Sequence, residues 1–411
     1  MKKIVILGGG FGGTEFYRVA HRALHGSPDV LFRLVSRWNY FLFYPMLHEV
    51  ATGSVERSHI TQPLREVIDC CIESFTQAEI TNINFGTRTI ATSRGEISYD
   101  YLVVALGAQP NFFGIPGVDE HCISFKSIAD AVAVRNHVIR HFEAAAHERD
   151  GARRRQLLSF VIVGGGPTGV ELAGQLADLL YHEMKDLYPE IDADEIAITL
   201  VDAGDRLLKQ HHPELGHTAL ERLQQMHVRV KLNTRVTGCE PHALHLGDGE
   251  HLHGEMRVWA AGNRSALTEI IAPEFLTDRG LLRTKNTLQL DGHPEVFVAG
   301  DNMEIIEPTA TSVPQTAQAA TAAAQHAAKN FVALLRNEPL TPFRYHPKGD
   351  IVPVGDWFAV AEIKSFRFFG AIAWVMRRVT FIHRLSSKIN RLKVTIDWAL
   401  HTVLRRDTSE L

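Results

Sequence analysis

Two glycine-rich segments of this chain share one pattern. Each opens with a short apolar run, passes through G-x-G-x-x-G and leads into a helical pattern; the segments are 4–13 and 160–169. In such a turn the first glycine allows a sharp bend, the second admits a pyrophosphate to the backbone, and the third lets helix and strand pack closely. A glycine turn that binds nothing is the alternative for one copy. Two copies in register predict two related dinucleotide-binding units.

The rest of the chain repeats the same order of elements. A second pair of similar segments lies downstream of the loops, at 101–107 and 256–262, and short alternating strands with glycine turns lie between, at 81–98 and 228–253. Alternation of period two bounded by turn residues predicts strands. These parallels place both halves in the same α/β class.

Apolar spacing predicts the main helices. They run over 14–24 and 170–187, and a third strand at 296–301 precedes an alanine-rich helix over about 313–335. We therefore predict an α/β fold with two Rossmann-type domains and a C-terminal amphipathic segment. The predicted boundaries are 1–116 with 284–340 for the first domain, 117–283 for the second and 341–411 for the C-terminal segment.

Composition narrows the class of protein. The 411 residues carry a net charge of −4, which offers no basic field for nucleic acid. Mean hydropathy is −0.07, and no apolar run of about 18 residues is present, so no spanning helix is predicted. Four cysteines in 411 residues are too few for a disulfide scaffold, and their lack of C-x-x-C spacing argues against a zinc ribbon and a thioredoxin-like dithiol; they are Cys70, Cys71, Cys122 and Cys239. The 22 histidines show no metal-ligand spacing, so no metal is predicted.

Polar residues at the ends of predicted strands distinguish the two halves. In the second half the strand 198–201 ends in Asp202, and a carboxylate there accepts bonds from a ribose 2′-hydroxyl and repels a 2′-phosphate, which favours NAD over NADP. In the first half the strand ends in Ser36, which is either a weaker ribose partner or simply a turn residue. Asp301 follows the third strand and is either a ligand of a polyol hydroxyl or a cap.

Several segments together resemble one family, the type II NADH dehydrogenases, which are single-subunit, non-proton-pumping NADH:quinone oxidoreductases among the flavoproteins with two dinucleotide-binding domains. The resemblance covers nearly the whole chain. It is carried by 8–13, the aromatic segment 39–53, Lys126 with Ser127, Arg135 with Asn136, 164–174 including Glu171, Gly300 with Asp301, Ala317 with Gln318, and 390–392.

The resemblance implies FAD in the first domain and NADH in the second. Hydride would pass from the nicotinamide to the flavin, and two electrons with protons would then pass to a quinone; the cofactor carries this chemistry and no protein nucleophile is required. The residues implied to contact FAD are Gly8, Gly10, Phe11, Gly12, Gly13, Ser36, Arg37, Thr52, Ile80, Ala105, Gly107, Asp301, Ala317 and Gln318. Those implied to contact NADH are Gly164, Gly166, Gly169, Asp202 and Gly262.

The resemblance also implies a catalytic carboxylate and a quinone pocket. Glu171 lies on the first turns of the second helix, where the family places a proton relay near nicotinamide and flavin; a carboxylate favoured by the helix dipole is the alternative. The quinone pocket is predicted from Gln318, Ala322 and Pro45. The family carries polar residues and a glycine where this chain has 322–324, all alanine, which predicts a wider or more apolar pocket and leaves the quinone open.

The C-terminal segment is strongly basic. From Lys364 to Arg406 ten basic residues and one acid give a local charge of +9. Apolar residues recur at steps of three and four over 375–396, which predicts one amphipathic helix. Arg378 falls on its apolar stripe, and the basic residues roughly opposite the stripe are Arg377, Arg384, Lys388 and Arg391. Trp374, Phe381 and Trp398 are predicted as interfacial aromatics. The pattern is typical of a helix that lies in a membrane surface, with packing on the protein or a dimer interface as alternatives.

These patterns lead to one hypothesis with two competitors. The leading hypothesis is an FAD enzyme of the respiratory chain that oxidises NADH and reduces a quinone, attached peripherally to the cytoplasmic side of the cell membrane as a homodimer. Residues 4–7 run straight into glycines, which favours a buried strand over a signal peptide. The competitors are a soluble NADH-dependent flavoprotein reductase with another acceptor, favoured by the alanines at 322–324, and a nucleotide-sensing protein with little turnover.

Overall fold

The computed structural model describes residues 1–27, 29–68, 75–307, 313–402 and 404–410, so Cys70 and Cys71 lie outside the described residues. The chain divides into two compact units, both discontinuous in sequence. Unit 1 comprises Met1–Leu42, Thr61–Gln109 and Asn263–Pro347, and unit 2 comprises Phe43–Ile60, Pro110–Gly262 and Lys348–Leu411. These limits differ from the predicted domain boundaries, because the short segment 43–60 and the C-terminal segment both belong to unit 2.

The strands are mostly short. In chain order they are β1 Lys2–Leu7, β2 Val30–Ser36, β3 Tyr40–Leu42, β4 Thr61–Pro63, β5 Phe75–Gln77, β6 Ile80–Asn84, β7 Thr89–Thr92, β8 Gly95–Ser98, β9 Tyr101–Val104, β10 Ala108–Pro110, β11 Ile123–Ser124, β12 Ser159–Val163, β13 Ala197–Val201, β14 Val228–Lys231, β15 Val236–Glu240, β16 Ala243–Leu246, β17 His251–His253, β18 Met256–Trp259, β19 Asn263–Ser265, β20 Leu282–Thr284, β21 Gln289–Leu290, β22 His293–Val298, β23 Met303–Ile305, β24 Asp350–Pro353, β25 Ala359–Ile363 and β26 Phe366–Gly370.

The helices differ widely in length. They are α1 Phe11–Leu24, α2 Leu47–Ala51, α3 Leu64–Ile68, α4 Val118–His121, α5 Ile128–His147, α6 Gly151–Leu157, α7 Pro167–Asp178, α8 Lys185–Leu187, α9 Pro213–Gln225, α10 Ala317–Leu335, α11 Ala371–Arg384 and α12 Lys388–Leu400. A π-helical turn, Leu179–Met184, joins α7 to α8, so the predicted helix 170–187 is continuous. Within the described residues no helix is both long enough and apolar enough to cross a bilayer.

Unit 1 is built on an eight-stranded sheet. The order is β23-β20-β21-β22-β9-β1-β2-β5, and the part from β22 to β5 is parallel. Strand β1 lies between β2 and β9, and residues 4–7 are completely or almost completely buried, as expected for an apolar run inside a parallel sheet. Helix α10 packs on α1, with the rings of Phe16 and Phe331 5.6 Å apart.

Unit 2 repeats this plan. Its parallel sheet has the order β11-β18-β12-β13-β14. Strand β12 corresponds to β1, because it lies inside the sheet and leads into the second glycine loop. Two antiparallel sheets, β15-β16-β17 and β24-β25-β26, belong to the same unit. The two halves therefore share the strand arrangement that the sequence repeat predicted.

The C-terminal segment departs from the prediction in two ways. The predicted single amphipathic helix is two helices, α11 and α12, because Leu385 turns to an extended backbone and Ser387 caps α12 by accepting the N–H of Asn390. The predicted interfacial aromatics are wrong as well. Trp374 and Trp398 are 4% exposed and Phe381 is 9% exposed, so all three pack within unit 2 rather than facing solvent.

The last described residues are fastened to unit 2 by charge. Arg406 is buried and its guanidinium lies 2.7 Å from Glu183 and 2.6 Å from Asp356. Asp178, at the end of α7, accepts the backbone N–H of Asp356 at 2.6 Å. Burial and the neighbouring Asp356 carboxylate raise the pKa of Asp178 from 3.8 to about 6, against the smaller opposing effects of that hydrogen bond and of Arg406.

We predict that Asp178→Asn stabilises the protein at neutral pH. A raised pKa means that protonated Asp178 stabilises the folded state relative to ionised Asp178. This stabilisation is complete below about pH 4 and is lost as the pH rises through about 6. The variant should exceed wild type in unfolding free energy at pH 7.5 by at most about 3 kcal/mol, and the gap should close towards pH 4. Denaturant unfolding at several pH values measures it.

Asp186→Asn is the control for this experiment. Asp186 is exposed and lies 3.5 Å from Arg405, and an exposed pair contributes little to stability. A gap for Asp178→Asn that is independent of pH, or of opposite sign at pH 7.5, would contradict the prediction.

Candidate nucleotide-binding sites and a buried charge cluster

The three glycines of the G-x-G-x-x-G motif in unit 2 have different surroundings. At Gly164 φ is +119°, and a Cβ would lie 2.8 Å from the backbone of Ala260. At Gly169 a Cβ would lie 1.8 Å from the carbonyl oxygen of Gly164. Gly166 has nothing within 4 Å of the corresponding position. The outer glycines therefore permit the turn and the helix–strand contact, while the middle glycine keeps an open face at the start of α7.

The loop in unit 1 has the same arrangement. A Cβ on Gly8 would lie 2.1 Å from the carbonyl oxygen of Ala105, and one on Gly13 would lie 1.9 Å from that of Gly8. Gly10 again faces open space. Gly12 fits against the side chain of Ala105, and the ring of Phe11, which begins α1, contacts that of Phe41 edge-on at 5.0 Å. The predicted residues Gly8–Gly13 and Ala105 are thus together.

The carboxylate of Asp202 closes the loop of unit 2 from the side. Its two oxygens accept the backbone N–H groups of Gly165 and Gly204, each at 2.6 Å. A carboxylate has about four acceptor positions, so acceptors remain for hydroxyl groups. Asp202 therefore lies where the strand-end acid was predicted, beside the glycine turn.

Ser36 has the corresponding place in unit 1. It is 7% exposed, and its hydroxyl oxygen would be 2.8 Å from a Cβ on Gly9, so it too borders the turn. The neighbouring Arg37 is exposed, lies 3.6 Å from Glu79 and stacks on Trp38. Ile80 is partly buried at the start of β6.

Gly107 and Asp301 are connected through Asn302. The amide of Asn302 is completely buried; its oxygen accepts the N–H of Gly107 at 3.0 Å and its nitrogen donates to the Gly107 carbonyl at 2.9 Å. Asp301 precedes it in a short 3-10 turn, and its carbonyl oxygen accepts from Gln315. The buried amide holds the ends of β9 and β22 together at the same edge of the sheet as Gly8. Asn302 was not singled out from the sequence.

The start of α10 carries the remaining predicted residues of unit 1. Ala317 is its first residue, and Gln318 accepts a hydrogen bond from the hydroxyl of Tyr345 at 3.0 Å. Ala323 and Ala324 are completely buried in unit 1, whereas Ala322 is partly exposed. Two of the three alanines at 322–324 therefore serve helix packing, and only Ala322 is left as a possible pocket residue.

Three further predicted residues lie in unit 2, apart from the glycine loop, Asp202 and Glu171. Thr52 is 1% exposed and donates to the carbonyl of His48, while Pro45 is partly buried and its carbonyl oxygen accepts from Arg377 at 3.2 Å. At Gly262 φ is +72°, and a Cβ would lie 2.5 Å from the ring of Phe113.

A buried cluster of charged residues surrounds Glu171 in unit 2. Glu171 lies 3.3 Å from Nδ1 of His48, whose Nε2 lies 3.0 Å from the Arg377 guanidinium. Arg377 in turn is 2.7 Å from Glu49, and the other oxygen of Glu49 accepts the indole N–H of Trp398 at 2.6 Å. His48, Glu49 and Arg377 are each less than 5% exposed. The segment 43–60 and the C-terminal helices thus meet at the predicted catalytic carboxylate.

Glu49 is charged in this cluster despite its burial. Burial alone would raise the pKa of its carboxyl, but the positive charge of Arg377, with smaller effects from the Trp398 indole and Arg378, lowers it overall. Removal of one partner of a buried ion pair leaves the other charge uncompensated and is strongly destabilising. Glu49 therefore fixes the position of Arg377.

Sequence periodicity did not reveal these partners and misplaced Arg377. This arginine was predicted roughly opposite the apolar stripe, but it is 2% exposed and faces the interior of unit 2. Arg378 was placed on the apolar stripe, yet its guanidinium carbon lies 3.6 Å from the ring centre of Trp374 and 4.7 Å from that of Trp398. The available signal was the pair of polar residues, His48 and Glu49, inside the short apolar run 46–51.

A pair of cysteines was also missed. The Sγ atoms of Cys122 and Cys239 are 3.6 Å apart although 117 residues separate them, so no local spacing could reveal the pair. The hydrogen bond that Cys122 donates lowers the pKa of Cys239 to about 7, and burial opposes this while Arg257 supports it; the pKa of Cys122 is raised by the same bond and by burial.

Comparison with known proteins gives consistent matches over most of the chain. The sequence profile of the family described as pyridine nucleotide-disulphide oxidoreductase matches residues 2–324. A type II NADH:quinone oxidoreductase from Mycobacterium tuberculosis is 31% identical over 97% of this chain and 87% of that protein. A type II NADH:quinone oxidoreductase from Haemophilus influenzae is 32% identical over 89% of this chain and 88% of that protein.

Solved structures share the fold. NDH2 from Plasmodium falciparum, in complex with NADH, superposes with a TM-score of 0.91 at 21% identity, covering 99% of both chains. The sulfide:quinone oxidoreductase from Aquifex aeolicus gives a TM-score of 0.73 at 19% identity, covering 98% of this chain and 96% of that one. At these identities the likeness concerns the fold with two Rossmann-type domains.

We predict that two alanine substitutions in the loop of unit 2 separate folding from binding. Gly169→Ala should lower the unfolding free energy by about 3 kcal/mol, because its Cβ meets a backbone oxygen. Gly166→Ala should cost at most about 1 kcal/mol, as expected at a helix N-cap, but should weaken NADH binding at least tenfold, because the methyl group covers the open face. Denaturant unfolding and NADH titration measure the two effects. Equal loss of stability in both variants would contradict it.

Proposed function

This chain belongs to the type II NADH:quinone oxidoreductases, within the pyridine nucleotide-disulphide oxidoreductases, and from this membership we propose that it passes hydride from NADH to FAD and then two electrons to a quinone, without pumping protons. The observation that carries the proposal is the match to type II relatives over 97% of the chain, which includes both glycine loops. The chain is therefore an oxidoreductase that combines a flavin with a nicotinamide nucleotide.

The residues of unit 1 fit FAD. An open Gly10 at the start of α1, the buried hydroxyl of Ser36 and the strand end at Asp301 supply the phosphate, ribose and ribityl partners that a flavin dinucleotide needs. When bound, the flavin accepts hydride from the nicotinamide and delivers two electrons to the quinone. The individual contacts from Gly8 to Gln318 remain proposals.

The residues of unit 2 fit NADH. Gly166 offers the open face for the pyrophosphate, and Asp202 offers free acceptor positions for the ribose. A 2′-phosphate would meet the Asp202 carboxylate, so NADH is the preferred donor over NADPH. Glu171, on the first turns of α7, is proposed to hold or move a proton during turnover.

Stopped-flow absorption of the purified flavoprotein tests the proposed function. NADH should bleach the flavin band in a single turnover, and a short-chain quinone should restore it. NADPH should bleach it at least tenfold more slowly, and Asp202→Ala should reduce that difference, because the repelling carboxylate is gone. A flavin that NADH reduces but no quinone reoxidises would overturn the assignment of the acceptor.

The soluble reductase with another acceptor is not favoured. Its sequence support was the alanine run at 322–324, and the burial of Ala323 and Ala324 gives those two residues a packing role. The relatives that match nearly the whole chain are named as quinone oxidoreductases.

We further propose peripheral attachment to a membrane through exposed apolar residues of α11 and α12. Successive members of the set are three or four residues apart on each helix, so each helix presents one stripe. The exposed apolar residues of these helices, named here the C-terminal apolar face, are Ile372, Val375, Val379, Ile389, Leu392, Ile396 and Leu400. Such a face has the chemistry of a helix pair that lies in a bilayer surface.

The electrostatic part of this attachment is smaller than the local charge of +9 suggests. Arg377 and Arg406 are neutralised within unit 2, and Arg367 lies 2.7 Å from Glu214. The exposed bases left on these helices are Arg384, Lys388 and Lys393. Each contributes about 1 kcal/mol near an anionic surface, whereas burial of apolar area contributes about 25 cal/mol per Å². Binding should therefore depend mainly on the apolar face.

We predict that the full-length protein sediments with liposomes and that the triple variant Ile372→Gln, Ile389→Gln, Leu392→Gln does not. Anionic lipid should strengthen binding modestly, and high salt should weaken wild-type binding without abolishing it. Leu187→Gln, on another exposed apolar residue of unit 2, is the control and should sediment like wild type. Deletion of the segment is a poorer test, because Glu49 would lose Arg377 and Trp398. Wild-type protein that stays in the supernatant under all conditions would contradict the proposal.

The remaining expectations are proposals of the same kind. We propose a homodimer, a place in a respiratory chain and the cytoplasmic face of the membrane, supported by the family resemblance. On the same basis we propose the division into an FAD domain, an NADH domain and a C-terminal segment. We also propose Gln318, Ala322 and Pro45 as the residues that contact the quinone.

A further inference from the structure

His48 has charged groups facing both of its ring nitrogens. It is 3% exposed, with the Glu171 carboxylate 3.3 Å from Nδ1 and the Arg377 guanidinium 3.0 Å from Nε2. The Glu49 carboxylate is 3.8 Å from Nε2, which is beyond hydrogen-bond distance, so Arg377 is the hydrogen-bond partner on that side. The chain thus forms a buried series that runs from Glu171 through His48 and Arg377 to Glu49. Neither glycine loop contributes to this series. Among its members, only Glu171 has a role in the proposed reaction.

The partners of His48 determine where its proton lies. A guanidinium has only donors, so the Nε2 that faces it must be an unprotonated acceptor. A neutral imidazole then carries its proton on Nδ1, which faces Glu171. Arg377 is held in this orientation by Glu49, and its second contact is the carbonyl oxygen of Pro45. The geometry therefore specifies one tautomer.

We propose that His48 is a positioning residue for Glu171: locked as the Nδ1–H tautomer by Arg377, it turns its one N–H towards the Glu171 carboxylate, 3.3 Å away, and holds that group oriented between turnovers. His48 keeps its own proton throughout, so it is not itself a relay. This inference rests on the proposed function, in which Glu171 holds or moves the proton.

The charged groups around His48 and Glu171 all belong to unit 2. Glu49 faces the cluster from α2, Arg377 and Arg378 from α11, and the neutral Trp398 from α12. Asp356 and Arg406 lie within Coulombic range of Arg378. The charged contact of Glu171 itself is with His48.

Two isosteric variants distinguish the proposal from a purely structural histidine. The amide nitrogen of Asn takes the place of Nδ1, so His48→Asn keeps a donor for Glu171 and loses the contact with Arg377. Gln reaches the position of Nε2, so His48→Gln keeps an acceptor for Arg377 and loses the donor for Glu171. A structural role predicts that Gln is tolerated at least as well as Asn, whereas the proposal predicts the reverse.

The first measurement is the pH profile of quinone-dependent turnover by the holoenzyme. In His48→Gln the limb that reports Glu171 should move to higher pH by about one unit, because the N–H that faces the carboxylate is lost. His48→Asn should keep the wild-type profile to within about 0.3 units. A wild-type profile in His48→Gln, or an equal displacement in both variants, would overturn the proposal.

The second measurement does not depend on turnover. ¹⁵N NMR of histidine-labelled holoenzyme, with the His48 resonances assigned by their loss in His48→Asn, reports which ring nitrogen carries the proton. The proposal requires a protonated Nδ1 and an unprotonated Nε2 at neutral pH. The reverse tautomer or an imidazolium would overturn it.

Failure of this inference and failure of the proposed function are distinguishable. If wild-type protein is reduced by NADH but not reoxidised by quinone, the proposed function fails, and the ¹⁵N measurement still decides the tautomer. If quinone turnover is normal and the two variants behave alike, the role of His48 fails and the proposed function stands.

Discussion

The absence of space for a single methyl group governs both units. In each glycine loop a carbonyl oxygen of the turn lies where the Cβ of the last glycine would be, at 1.9 Å for Gly13 and 1.8 Å for Gly169. This close contact packs the helix against the strand that precedes it. The open middle glycine, Gly10 or Gly166, then lies at the N-terminus of the helix. Asp202 and Ser36 border these turns because the neighbouring parallel strand ends at the same edge.

The sequence was informative wherever the relevant partners are periodic or close in the chain. The G-x-G-x-x-G spacing, the apolar runs before it and the polar strand ends predicted both sheets and the position of Asp202. The charge cluster could not be predicted in this way, because 328 residues separate Arg377 from Glu49. Periodicity correctly identified apolar spacing in the C-terminal segment, but it could not tell which residues of α11 face the protein, and it extended one helix across the cap at Ser387.

The C-terminal segment combines two kinds of surface. One side places Arg377, Trp374 and Trp398 inside unit 2, where Glu49 and Arg378 meet them. The other side carries exposed aliphatic residues such as Ile372, Ile389 and Leu392. The inward side fixes α11 and α12 to the segment that carries His48, so the two helices are part of the folded unit and not an appended tail.

The pairing of Glu49 with Arg377 restricts how this sequence can change over generations. Loss of either residue alone leaves an uncompensated buried charge, which costs about 3–5 kcal/mol, whereas replacement of both by apolar residues of similar volume is often neutral or better. Because a typical domain has a stability of only about 5–15 kcal/mol, the single-step intermediates lie in a fitness valley. For stability alone, descendants of this chain should therefore retain both residues or change both together, and the contact of Arg377 with His48 favours retention.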